Sequence, residues 1–360
     1  MAGQGNISRR RLLRAAAFTA VVGTGALRAA DPALAGQSPA APPGAQPVDP
    51  ATPLDPSVRF DLTAPGRELF GNRPLHNVTV PQSLAFDNEN GHVYVVQLMA
   101  GGRQLPGESA PVSGAVRSYQ GDLCLTRLDL AGTELGHMYL KGFGHGVQIG
   151  AEPVGDSAFL WTEVDSVADD GTNGWGTRIA RFRFADGAVL TPDSPEVRRM
   201  QLVPGSDRTT CGIDPAFHRL VMRYRIAGAF RYGLYDLADV RRNRFVPLAD
   251  VAQPALSYSF QGYTSYGDRL YLLEGSSYGS GGSTPGIGNT YLTCVDWVTG
   301  AVLDRQLVTD AQSLPFREPE GLAIQLPDIR RPDLPRLAFS FASGVAGARV
   351  TSVWYKDVLV

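Results

Sequence analysis

The chain has 360 residues, 43% of them apolar, with 33 Lys and Arg against 35 Asp and Glu for a net charge of −2. That length builds a large core, as one big domain or two ordinary ones. The balanced charge excludes the basic footprint of a nucleic-acid binder and the acidic run of a disordered tail. Gly (41) and Pro (26) are abundant, and long apolar patterns at helical spacing are absent after the N-terminus. High turn content with short β-branched and aromatic runs reads as all-β.

Ser8-Arg9-Arg10-Arg11-Leu12-Leu13-Arg14 is a twin-arginine export signature, followed by the apolar stretch Ala15–Leu27 and the small-x-small site Ala33-Leu34-Ala35. The stretch is too short and too rich in Gly and Ala for a membrane span, so residues 1–35 read as a removed signal peptide. No span is expected in the mature chain. Residues 36–56 are rich in Ala, Pro and Gln without periodicity, a flexible linker suited to crossing part of a cell wall. Residues 57–360 form the folded domain.

Within that domain a polar residue is followed five times by a small residue and an apolar run. The copies are Gln82-Ser83-Leu84, His145-Gly146-Val147, Cys211-Gly212-Ile213, Gln261-Gly262-Tyr263 and Glu320-Gly321-Leu322, at intervals of 63, 66, 50 and 59 residues. Each is expected to head a strand, with a second strand after a turn: His92–Gln97, Phe159–Glu163, Arg219–Arg225, Arg269–Glu274 and Arg336–Phe341. An outer hairpin with an Asp/Gly/Ala turn completes each unit, as in Leu125–Leu135 and Thr293–Leu303. Four strands repeated every 60 residues or so predict a five-bladed β-propeller. The last copy is short of one outer piece, and the displaced hairpin Val58–Leu69 closes the ring. A β-sandwich, the rival all-β fold, has no reason to show this period.

The first strand of each blade lines the axis, where small residues suit the crowding. The preceding polar residues Gln82, His145, Gln261 and Glu320 are then expected at one mouth of the channel, with Gln97, Glu163, Arg225 and Glu274 on the same or an adjoining rim. His145, flanked by glycines, is a candidate general base or acid near neutral pH, or a hydrogen-bond donor across the channel. Glu163 and Glu320 form a candidate carboxylate pair for glycoside hydrolysis. Aromatics including Trp161, Trp175, Tyr224, Tyr263, Tyr266, Tyr271 and Tyr278 suit the gripping of sugars.

Other patterns carry no chemistry. Gly275-Ser276-Ser277-Tyr278-Gly279 fits G-x-S-x-G, but no helix follows and no His lies beyond His218. Asp165, Asp169 and Asp170 miss the calcium-loop spacing. His76, His92, His137 and His218 sit near turns or strand ends, with surface or capping roles expected. Cys124, Cys211 and Cys294 offer no C-x-x-C pair and read as buried small apolar residues. Neither a metal nor a cofactor is expected.

The run Gln82–Asp87, Val93–Gln97, Gly121–Asp129, Gly142–Gly146 and Trp161–Glu163, with Glu318–Leu322 near the C-terminus, resembles the β-propeller shared by teichoic acid biosynthesis protein C of Gram-positive bacteria and the receptor-binding proteins of some staphylococcal phages. The resemblance covers nearly all of the chain after Val58. It implies a propeller presented outside the cell and associated with wall teichoic acid or a similar polyol-phosphate or glycan polymer.

Three functions follow as alternatives. The first is a secreted or wall-associated monomer that binds such a polymer through Gln82, His145, Arg225, Gln261, Tyr263 and Glu320, with Arg225 reserved for phosphate or carboxylate. The second is an enzyme on the same polymer. A lyase would use His145 as base, assisted by Tyr263 or Arg225, and a hydrolase Glu163 with Glu320. The third is a protein-interaction scaffold.

Overall fold

A computed structural model of the chain describes Leu54 and residues 56–360. The export signature and nearly all of the linker lie outside the described residues. Strand β1 (Arg67–Pro74) precedes the first blade, which comprises β2 (Pro81–Asp87), β3 (His92–Leu98), β4 (Leu123–Asp129) and β5 (Glu134–Leu140), with helix α1 (Gly114–Gln120) inserted before β4. The second blade is built from β6 (Gly150–Val154), β7 (Ser157–Val167) and β8 (Trp175–Arg183). Next, β9 (Val189–Leu190) turns back to extend the first blade parallel to β5, and β10 (Arg198–Met200) completes the second.

Blade three holds β11 (Asp207–Asp214), β12 (Arg219–Ile226), β13 (Ala229–Asp236) and, after helix α2 (Leu237–Arg241), β14 (Pro247–Ala252). Blade four is β15 (Phe260–Tyr266), β16 (Arg269–Glu274), β17 (Tyr291–Asp296) and β18 (Val302–Leu307). The fifth joins β19 (Glu318–Gln325), β20 (Arg336–Val345) and β21 (Ala348–Lys356) to β1 from the N-terminus. The expected five-bladed propeller is therefore present. The closure does come from the N-terminus, but not as the expected Val58–Leu69 hairpin, because residues 58–66 form a turn with one isolated bridge and a single later strand does the pairing. Residues 67–74 supply the fourth strand, while Phe60 forms an isolated bridge with Leu359.

The core is a set of wedges between blades. Leu270 and Leu272 pack toward blade three with Val221 and Tyr232, while their neighbours Tyr271 and Leu273 pack toward blade five with Leu337 and Phe339. Both faces of a central strand are thus covered. This explains why second strands such as Arg269–Glu274 read as continuous apolar runs rather than alternating ones. Asp residues close the turns as expected: Asp296 Oδ1 accepts the amides of Val298 and Thr299 at 3.0 and 2.8 Å. Cys124, Cys211 and Cys294 are all buried free thiols within these layers. Among the described residues, no helix is long and apolar enough to cross a membrane.

Candidate functional site

Four inner strands carry a β-bulge where they leave the rim. Gln82, Arg208-Thr209, Gln261 and Gly321 are the positions at which the pairing with the second strand gains a residue. A bulge breaks the in/out alternation and re-aims its side chain. This is the physical reason that polar residues next to small ones recur here. In blade five Glu320 stands immediately before the bulged Gly321.

The small residues meet at the axis. A Cβ on Gly262 would lie 2.9 Å from Gly321 Cα, and one on Gly321 would lie 2.6 Å from Ser83 Cα. Ser83 Oγ donates to the Gly146 carbonyl at 2.6 Å.

The axis is closed rather than an open channel. Gln148, 1% exposed, reaches across it from the second blade. Its Nε2 donates to the Leu322 carbonyl at 3.1 Å and its Oε1 accepts the Tyr263 amide at 3.3 Å. Below it remains a void of about 10 Å³, lined by inner-strand residues of all five blades such as Ala85, Gly150, Ile213, Thr264 and Ala323. A ligand therefore has the rim and not a bore to occupy. Gln148 carries no triplet signature and was not anticipated.

Second-strand ends hold the rim in place. Gln97 Nε2 donates to the carbonyls of Asn77 and Thr79 at 3.0 and 2.6 Å. Glu274 Oε2 accepts the amides of Ser257 and Tyr258 at 2.7 and 3.0 Å. Glu163, fully buried, accepts Gly146 N on one oxygen and Gly176 N on the other, both at 2.6 Å. All three latch the connection that enters an inner strand. Glu163 is therefore no partner for Glu320 in a hydrolytic pair, because both of its oxygens are engaged away from solvent. Burial still pushes its carboxyl up to about 7, against the opposing backbone donors.

The glycines beside His145 serve this latch too: a Cβ on Gly144 would fall 2.0 Å from Glu163 Oε2. His145 lies in the connection before β6, which begins at Gly150 and not at the His145 triplet. Its ring stacks on Trp175 with centroids 4.4 Å apart and planes 19° off parallel. Its Nδ1 is buried without a partner among the described residues. Desolvation lowers its pKa to about 4, so the imidazole is neutral at pH 7. The Arg208 guanidinium lies 4.6 Å from the Trp175 ring centre, and Trp175 Nε1 donates to Asp170 at 2.8 Å.

Two expected ligand contacts are corrected. Tyr263 is fully buried, donating to the Thr210 carbonyl at 2.7 Å and accepting the Arg223 amide at 2.9 Å, and so belongs to the core. Arg225 is forked by Asp207 at 2.7 and 2.8 Å and by Asp169 at 2.5 Å. With Arg208 also paired to Asp169, this side of the rim is a closed charge network rather than a free anion site. In blade three the residue at the bulge is Arg208, not the buried Cys211. The inner strand begins earlier there than the triplet implied.

Gln82, Gln261 and Glu320 stand at or beside the bulged starts of the inner strands β2, β15 and β19. Gln261 Nε2 donates to the Gly275 carbonyl at 3.0 Å. Glu320 is 4% exposed, and burial with the nearby Glu318 raises its pKa well above the usual carboxylate range. Gln82 lines a groove of about 500 Å³ between blades one and five. Its walls are the 78–80 connection, the 98–101 segment, Gly114 and Ser118 of α1, and the β20–β21 turn with Arg349.

The insertion carrying α1 is anchored by the buried Arg117, which pairs with Glu108 at 2.5 Å and Asp122 at 2.8 Å. These contacts help hold the Glu108 carboxyl down at about 2. Arg349 rests 3.3 Å from the Phe316 ring centre, donates to the Gly344 carbonyl and makes no ion pair among the described residues. Sequence reasoning missed Arg349 because its signal is tertiary: it comes to line the same groove as Gln82 only through ring closure.

The model for the phage 5-bladed beta propeller receptor binding platform domain matches residues 80–354. The putative major teichoic acid biosynthesis protein C of Bacillus subtilis (strain 168) is 26% identical over 308 residues, 82% of this chain and 63% of that protein. Among solved structures, the tail fiber of Staphylococcus aureus phage P68 shares the fold with a TM-score of 0.60 at 18% identity, covering 81% of this chain and 53% of that one. The chain thus spans less than two thirds of the length of either relative.

Proposed function

The chain belongs to the phage five-bladed β-propeller receptor-binding platform family, and from that premise we propose that it is a secreted or wall-associated protein binding a cell-wall or extracellular glycan polymer such as wall teichoic acid. The twin-arginine signature and small-x-small site at residues 8–35 support export. The observation that carries the binding reading is the groove between blades one and five. It sets an amide, Gln82, and a cation that makes no ion pair among the described residues, Arg349, into one concave wall of small and apolar residues, with the Glu318 carboxyl near enough to feel the guanidinium charge. Polyol-phosphate polymers need that combination: donors for hydroxyls, one cation for phosphate and apolar surface for carbon faces.

Retention of the purified full chain on immobilised wall teichoic acid is the test. A charge-assisted contact is worth roughly 1.5–3 kcal/mol, so Arg349→Ala is expected to weaken retention about tenfold or more, and Gln82→Ala less. Unchanged retention in both variants would remove the groove as the site.

Glu320 supports a second, enzymatic reading, because burial raises its pKa well above the usual carboxylate range and so favours the protonated form that a general acid needs. His145, neutral at pH 7, is the candidate base of a lyase. With an acidic polysaccharide as substrate, new reducing ends, lost in Glu320→Gln, would establish glycoside hydrolysis. New ultraviolet-absorbing unsaturated ends, lost in His145→Gln, would establish a lyase. Retention without either product leaves binding as the function.

A further inference from the structure

The outer strand of blade one carries a cluster that the rim does not use. In the pairing of β4 with β5, Arg127 lies opposite Gly136 while Leu128 lies opposite Glu134, so Leu135 is an extra residue. Residues three apart on a regular strand face opposite sides. The bulge cancels one alternation and places Glu134 on the same side as His137. His76, from the connection between β1 and β2, lies flat on His137 with ring centres 3.3 Å apart and planes within 9°.

Nδ1 of His76 stands 3.0 Å, and Nδ1 of His137 3.7 Å, from the same Glu134 Oε1. His76 Nε2 lies 3.0 Å from the Tyr139 hydroxyl. Asp186 fixes this part of the strand by accepting the His137 amide at 2.8 Å.

Protons alone serve this arrangement poorly. A proton on His76 Nδ1 can satisfy Glu134. His137 then faces the same oxygen beyond hydrogen-bonding range, and its ring makes no hydrogen bond among the described residues. Two imidazolium rings cannot share a stack this close, since like charges at that distance repel strongly. Two neutral imidazoles and a carboxylate, with ligand atoms all within 4.8 Å of one another, are instead the donor set of a borderline divalent transition metal.

We propose that His76, Glu134 and His137 bind one such ion, of the zinc or nickel class, with solvent in the remaining positions. The ion takes the Nδ1 lone pairs and Glu134 Oε1, releasing any proton held between them. Bond lengths of about 2.0–2.2 Å require the rings to tilt out of the stack and Glu134 to rotate. The side chains of His76, Glu134 and His137 are 20%, 38% and 27% exposed, so none is locked in the core. Tyr139 suits the role of outer partner: accepting the Nε2 proton of His76 leaves Nδ1 bare for the metal. The bound ion would tie β5 to the connection running into β2.

Untagged full-length protein, stripped with chelator and titrated with Zn²⁺ by calorimetry, is expected to take up one equivalent. Co²⁺ in its place should give visible d–d absorption. Saturating Zn²⁺ should raise the melting temperature. His137→Ala and Glu134→Gln should each weaken binding at least about tenfold, while removal of the exposed His218 changes nothing. Glu134→Gln, at a surface position, keeps the test valid should a histidine variant misfold. Absence of stoichiometric uptake overturns the site, as does equal affinity in Glu134→Gln and wild type. Proton titration of the two imidazoles without metal uptake overturns it as well.

Discussion

Burial acts in opposite senses on the two titratable groups that meet at the 144–147 connection. Glu163 is raised to about 7, so the native state holds its proton more tightly than the unfolded chain, and its contribution falls as pH rises from about 4.5 to 7. His145 is lowered to about 4, so the native state resists protonation and its contribution is lost as pH falls from about 6.5 to 4. The two slopes oppose one another between roughly pH 4.5 and 6.5. His145→Gln removes only the second. Denaturant unfolding at several pH values should show this variant gaining stability relative to wild type as pH drops from 6.5 toward 4. A difference independent of pH would mean that His145 titrates normally. The same burial explains why Glu163, promising in sequence as a carboxylate at a strand end, is a latch in the structure.

At the scale of elements, the bulges and the small residues are one device. Gly321 adopts φ +76° at a bulge, and a Cβ there would press on the Ser83 backbone, which cannot rotate away. Gly102 has φ +81° in open space. Alanine at Gly102 is expected to cost only the left-handed penalty, about 1–2 kcal/mol. Alanine at Gly321 should cost about 3 kcal/mol or more, since overpacking against backbone is added. Thermal or denaturant unfolding of the pair isolates the packing part, and equal losses would contradict a crowded axis. Arg208, at φ +45° on the blade-three bulge, follows the same logic from the other side. The bent backbone aims its side chain at Trp175 and Asp169, a placement that its sequence neighbours do not announce.

For the whole molecule, closure is the decisive contact. β21 pairs with β1 along its length, and Lys356, buried beside them, donates to the Ala64 carbonyl and reaches Asp310 at 3.3 Å. Removing residues through Pro74 would uncover a sheet edge, leave that lysine with Asp310 alone and expose the layers that Phe60, Leu62 and Phe70 fill. At roughly 1.5–3 kcal/mol per large buried side chain, these three alone come to about 5 kcal/mol or more. The truncated chain should be aggregated or should melt well below the full chain. A monodisperse product with unchanged melting temperature would show the closure to be dispensable. The groove with Gln82 and Arg349 depends on the same closure, since its two walls come from the first and last blades.

The periodicity of polar-small-apolar triplets determined the fold class, the number of blades and the end from which the ring is closed. These are properties of local patterning, where strand period, turn chemistry and crowding at an axis each leave a mark on neighbouring residues. That Gln82, Gln261 and Glu320 stand at equivalent starts of inner strands was legible for the same reason. The tertiary structure alone decided that Gln148 fills the axis, that Tyr263 is core, that Arg225 is already paired and that Arg349, without an ion pair among the described residues, lines the same groove as Gln82. Each of those facts depends on which side chain from a distant blade arrives to donate, accept or neutralise. Sequence spacing carries no record of that encounter, because it is set by how the blades pack around the axis.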